Sequence, residues 1–267
     1  MLALAATLPV TAIDAYSKDA AKPVKPAAKG NAAADAALAE GIKLAGDGKG
    51  QAAEAKFDEA IKLAPNFARA YANRANIHMM RKQYQKAIDD CNKAISLNDK
   101  LGMAYINRSW AELNLFQAEK ALADTNKAIE LEPKLAIAYV NRAHANNLLG
   151  KPKEAIADCD KALELSPKLS TALVNRAHAK VTLKEYKSAM DDCDKAIELS
   201  PHMARAYVNR GRALRMMGHY EKAIVDLDKA IELDSSLGSA YYNRAEAYQK
   251  LSETDMADAK KLGYTTK

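Results

Sequence analysis

Six Asn-Arg pairs recur along the chain: Asn73, Asn107, Asn141, Asn175, Asn209 and Asn243 stand 34 residues apart, each followed by Arg. An amide side chain both donates and accepts, which suits it to the regularly spaced groups of an extended polypeptide backbone. A guanidinium makes paired bonds to a carboxylate, and Asp90, Asp124, Asp158, Asp192 and Asp226 form a column of the same period. His144 and His178 share one place in their repeats, and Cys91, Cys159 and Cys193 share another. Two His without Cys or carboxylate companions do not make a metal site, and no C-x-x-C spacing supports zinc. Phe57, Thr125 and Leu227 fill the cysteine place elsewhere, so the thiols are expected in the core. Neither His has a repeating Ser, Cys or Asp partner at a spacing for nucleophilic catalysis. The glycines of "GDGKGQ" (46–51) follow no strand and lack GK[ST]. The expectation is a protein without catalytic residues, metal or cofactor.

The positioning elements are legible in the unit "ARAYVNRGRALRMMGHYEKAIVDLDKAIELDSSL" from Ala204. Tyr207, Gly211 and Leu214 follow the spacing of one helical face. Gly218 then closes the first helix, and Ala223, Ile224, Leu227, Ala230 and Ile231 stripe a second. Each unit therefore reads as a helical hairpin. Small residues stand where the two helices must approach: Gly41, Ala75, Ser109, Ala143, Ala177, Gly211 and Ala245 in the first, and Ala53, Ala87, Ala121, Ala155, Ala189 and Ala223 in the second. Pro65, Pro133, Pro167 and Pro201 stop the second helix in four units.

This pattern resembles the tetratricopeptide repeat, a family of 34-residue helix-turn-helix units, over about seven-eighths of the chain. Units start near residues 34, 68, 102, 136, 170, 204 and 238. The resemblance implies an all-α fold, a right-handed α-solenoid (superhelix) of about seven hairpins covering 34–267, with a shortened, polar capping unit at the end. Two departures stand out: Arg replaces the Leu usual before the small residue, and the first unit has Ala39-Glu40 for Asn-Arg. The last unit aligns only with two residues missing between its helices.

The resemblance implies a non-catalytic protein-protein interaction module whose concave groove takes an extended segment of a partner. Here the array looks like the repeat region of the transferase that places N-acetylglucosamine on Ser and Thr, where asparagines form a ladder along the bound chain. The implied ladder is Asn73, Asn107, Asn141, Asn175, Asn209 and Asn243; that enzyme's catalytic part has no counterpart here. The competing role is for the amides to bridge neighbouring helices. One turn on, Ile42, Asn76, Trp110, His144, His178, Arg212 and Glu246 differ between units, as specificity positions of a groove would. Trp110 reads either as an apolar anchor or as a packing residue between repeats. Arg205, Arg212 and Arg215 form a basic patch suited to an acidic segment. The carboxylate clamp of chaperone-binding repeats is not matched, since Leu38, Ile42, Met103 and Asn107 occupy its places. The alternative function is a structural or assembly scaffold that docks folded partners through its convex or edge surfaces.

A formal charge of +6 is too mild and interspersed for nucleic acid, and no apolar run reaches the roughly 18 residues of a transmembrane span. Residues 1–15, "MLALAATLPVTAIDA", read as part of a signal peptide or as an apolar tail, and 16–33 as an Ala/Lys/Pro-rich linker. Periplasmic or secreted placement is expected, with the cytoplasm as the alternative, and a monomer or weak self-association. The Arg column lies close enough to the core face to reach the Asp column of the second helix, which makes that pairing structural. Replacing Arg176 by Ala should then lower the thermal midpoint more than it weakens partner capture, as paired melting and binding curves would show.

Overall fold

The computed structural model describes residues 31–262, in which thirteen α-helices and no strand occur. The readings of residues 1–15, and most of the linker, lie outside the described residues. The helices are α1 (Ala32–Gly46), α2 (Gly50–Leu63), α3 (Ala68–Met80), α4 (Tyr84–Leu97), α5 (Gly102–Asn114), α6 (Ala118–Leu131), α7 (Ala136–Leu148), α8 (Pro152–Leu165), α9 (Ser170–Thr182), α10 (Tyr186–Leu199), α11 (Ala204–Met216), α12 (Tyr220–Leu233) and α13 (Gly238–Lys261). They form two compact units divided after Gly150, within each of which consecutive helices pack as hairpins, an all-α repeat solenoid. Asn31 caps α1, its side chain accepting from the Ala34 amide, so the array starts two residues before the expected boundary.

Each hairpin turns through one residue in the left-handed region: Gly48, Gly150 and Gly218, but also Lys82, Phe116 and Lys184 at φ of 58°, 58° and 64°. A side chain there costs roughly 1–2 kcal/mol, so the tertiary packing, not the turn residue, sets these three bends. The second helices α2, α6, α8 and α10 end two residues before Pro65, Pro133, Pro167 and Pro201. The repeat tyrosine then ties down that loop, since Tyr71, Tyr139 and Tyr207 hydroxyls donate to the carbonyls of Pro65, Pro133 and Pro201 at 3.2, 3.0 and 3.1 Å.

In four hairpins, the small residue of the first helix is matched to the residue sixteen positions on. Gly41 goes with Phe57 and Gly211 with Leu227, while Ala75 and Ala177 go with Cys91 and Cys193. A Cβ on Gly41 would stand 2.5 Å from the Phe57 ring, and one on Gly211 2.8 Å from Leu227 Cγ. The glycines thus make room for the larger partner. All three cysteines are free and buried, and burial pushes their thiols well above the usual range, which leaves them inert apolar fillers.

The Arg column does more than pair within its hairpin. Arg176 grips Asp192 through Nε and Nη2 at 2.9 and 2.5 Å, and its Nη1 donates to Asp160 of the preceding second helix at 2.6 Å. Arg74, Arg108 and Arg210 repeat this on Asp90, Asp124 and Asp226, reaching back to Asp58, Asn92 and Asp194. The guanidinium also lies over the tyrosine three residues earlier, 5.4–5.7 Å from the ring centre, at Tyr71, Tyr105, Tyr139, Tyr207 and Tyr241. The sequence held a signal for the backward contact: Asp58, Asn92, Asn126, Asp160, Asp194 and Asp228 form a third column of the same period.

The seventh unit departs from expectation. In place of two short helices it forms the single continuous α13. Ser252, where Gly218 or Lys184 turns its own hairpin, stays helical, because the two missing residues remove the turn. Among the described residues Arg244 accordingly keeps only the backward hydrogen bond, to Asp228 at 2.5 Å, and its place over Tyr241.

Removing Arg176 leaves the buried Asp192 with Lys180 alone, 2.7 Å away, and the exposed Asp160 in solvent, and should cost about 1–3 kcal/mol in urea unfolding. The size matching gives a second test. Gly41→Ala should destabilise by about 1–3 kcal/mol, less up to about 1 kcal/mol of helix propensity. The pair Gly41→Ala with Phe57→Cys, which rebuilds the Ala75–Cys91 arrangement, should be more stable than the sum of the single losses by at least about 1 kcal/mol. Simple additivity would reject the matching.

Candidate binding face

The Asn column runs along the first helices of the units, and Asn107, Asn141, Asn175, Asn209 and Asn243 are buried. Within each compact unit the amide nitrogens reach the first helix of the preceding hairpin. Asn107 donates to the Ala72 carbonyl at 2.9 Å, Asn209 to Val174 at 3.0 Å, and Asn141 to Ser109 Oγ at 3.1 Å. Asn73 and Asn243 turn back instead onto Arg69 and Ser239 of their own helices. Bridging of helices is therefore a job these contacts supply. Asn107 Oδ1 is buried without a partner, whereas Asn243 Oδ1 accepts from Arg215 Nε at 3.3 Å.

Trp110 is 8 % exposed and packs with Met79, Ile88, Cys91 and Ala111. Its place is that of a packing residue of the core, not of an open anchor, because α4 and α3 close over the ring. His144 is likewise buried, and His178 is half-buried. The two fall in different compact units. Among the described residues no group of three His, Cys, Asp or Glu is placed to hold a metal ion, and no helix is long and apolar enough to cross a membrane.

The basic patch is more distinctive than its charge alone suggests. Arg205 and Arg212 of α11 have no hydrogen bond or ion pair among the described residues, unlike the stapling arginines, and Arg205 Nε is shut off from solvent without a partner. Burial pulls the Arg205 guanidinium down to about 10 and lowers Arg212 too, with Arg215 adding repulsion at Arg212. Arg215 is compensated, by Asn243 and by Glu246 at 3.6 Å. His178 on α9 completes the cluster. Burial, then repulsion from Arg212 and Arg205, hold its imidazole down at about 4, against a hydrogen bond with Asn209. The result is a desolvated positive face with one neutral His and two guanidiniums lacking acceptors. Such a face favours an anionic group.

Paired helices repeated at 34 residues with these fixed positions define a class of α-helical repeat proteins. The tetratricopeptide repeat profiles match residues 68–101, 136–169 and 170–203, and a TPR repeat profile matches 211–252, together more than half of the chain. The chain belongs to the tetratricopeptide repeat family, whose repeats mark protein-protein interaction modules. Among solved structures it is similar to the APC/C hetero-tetramer Cut9–Hcn1, with a TM-score of 0.73 and 18% identity, over 88% of this chain and 46% of that one. The chain thus spans less than half the length of that relative. It is also similar to Pseudomonas aeruginosa pilF (TM-score 0.65, 18% identity, 81% of this chain and 98% of that). YrrB, described as a TPR protein with an unusual peptide-binding site, matches at TM-score 0.51 and 22% identity over 71% and 97%. At these identities the likeness is one of fold. No curated protein matches.

The half-buried His178 predicts a pH effect. Unfolded, the imidazole takes up its proton near 6.5; folded, only near about 4. Between those values the unfolded chain binds more protons, so stability falls as pH falls from 6.5. Glu112, held up at about 7, works in the opposite direction over part of the same range. The measurement is therefore a difference: His178→Gln should lose less stability than the wild type between pH 6.5 and 5, and equal losses would refute the half-buried neutral His.

Proposed function

We propose that the chain is a non-catalytic interaction module that binds an extended, acidic segment of a partner protein on the first-helix face of residues 151–262. The observation that carries this reading is Arg205, a half-buried guanidinium on that face with no acid beside it and a shielded, unpartnered Nε. Such an arrangement destabilises the isolated protein, and a partner carboxylate would relieve it. Arg212 adds a second unneutralised charge and Arg215 a third that is partly spent on Glu246. In this reading the Asn column holds the helices in register through its nitrogens and lies along the bound segment. His178 stands at the variable position that selects side chains. The peptide-binding site reported for YrrB supports a peptide role for a similar fold.

The test separates binding from folding by sign. Arg205→Met removes an unpaired desolvated charge, so it should raise the thermal midpoint by about 2–4 °C, the worth of about 1 kcal/mol at this size. The same change should weaken binding of a fluorescent Glu/Asp-rich decapeptide at least tenfold, while a neutral peptide of equal length binds neither protein. A variant that melts lower and binds the acidic peptide as well as wild type would reject the site and turn attention to the convex surfaces.

A further inference from the structure

In the first-helix position ten residues into each unit, side chains vary, and in two units they set a side-chain nitrogen against the buried Asp of the second helix. His78 Nε2 stands 3.5 Å from Asp90, and Lys180 Nζ 2.7 Å from Asp192. In the unit from Gly102 the same position holds Glu112, beside Asp124. Both oxygens of Asp124 are taken by Arg108 Nε and Nη2, at 2.6 Å each. Glu112 makes no hydrogen bond or ion pair among the described residues; it is 5 % exposed and its Oε2 is buried without a partner. It lines a cleft of about 440 Å³ between α4, α5 and α6, walled on the apolar side by Ile88. That volume falls within the range of small-ligand sites.

We propose that this cleft binds an organic cation, an alkylammonium or guanidinium group, which pairs with Glu112 and occupies the place that His78 and Lys180 fill in their own units. Lys120 does not fill it from within, since its ammonium donates to Gln117 Oε1 at 3.0 Å. A divalent metal does not fit, because with Asp124 committed one carboxylate remains, and such ions take about six or more oxygens. A monovalent head group on a carbon stem matches one free carboxylate and an apolar wall. The free glutamic acid is held up at about 7 by burial first and by Asp124 second, opposed by Arg108 and Lys120 of α5 and α6; α4 contributes Cys91, buried with its proton on. Ligand binding should therefore demand a deprotonated Glu112.

The experiment is calorimetric titration of the full chain with ethylguanidinium and butylammonium, and with a short peptide carrying one Arg or Lys. Saturable binding at pH 8 that weakens about tenfold at pH 6, as the ionised fraction of a group near 7 requires, and that is lost in Glu112→Gln supports the site. Binding of the small probes points to a free amine as occupant; binding of the peptide alone points to a partner's basic side chain. Absence of saturation with all probes, an unchanged affinity between the two pH values, or equal binding by Glu112→Gln overturns the proposal. The wild-type pH comparison stands even if the variant folds poorly.

Discussion

The structure rests on one guanidinium contact repeated down the array. Arg74, Arg108 and Arg210 each take a bidentate grip on an Asp of their own hairpin, a single bond to the hairpin before, and a ring face beneath, and Arg176 makes the same bonds with Leu173 in place of the ring. Three helices are thereby held by one side chain. In a solenoid without a central core, stability is a sum of unit and neighbour terms, and this contact contributes to both. The buried acids need it too, because an Asp about 5 % exposed without a cation would be costly.

The Asn column carries the other half of the junction. Its nitrogens donate to carbonyls on the preceding first helix, which ties consecutive first helices together within each compact unit. The two columns divide the work: Arg joins second helices, Asn joins first ones.

Much of this was legible in the sequence because a period makes each residue its own control. The hairpins, the core place of Cys91, Cys159 and Cys193, and the Arg–Asp pairing all followed from comparing units. The depth of Asn107 and Trp110 did not, since a helical wheel shows which way a side chain points but not what the neighbouring unit places over it. The turns at Lys82, Phe116 and Lys184 were hidden for a related reason: packing imposes a backbone that the residue itself disfavours. The continuous α13 was misread as two helices, for family registration overrode the plain fact that "LSETDMADAKK" contains no residue that stops a helix. Glu112 escaped notice because variation at one position looks like indifference until the buried Asp beside it is seen.

The size matching between the small residue and its partner sixteen positions on has a consequence for how such a chain can change over generations. Gly41 with Phe57 and Ala75 with Cys91 are alternative solutions to one volume, and each is settled inside its own hairpin. The junction chemistry, by contrast, is the same from one hairpin to the next: with residues 102–135 excised, Arg142 would meet Asn92 where it now meets Asn126. Whole hairpins can therefore be gained or lost by unequal recombination without a misfit at the seam, while a crossover within a hairpin would join a glycine to a cysteine, or an alanine to a phenylalanine. The reading frame of inheritance in this array is the hairpin, and its boundaries are drawn by packing.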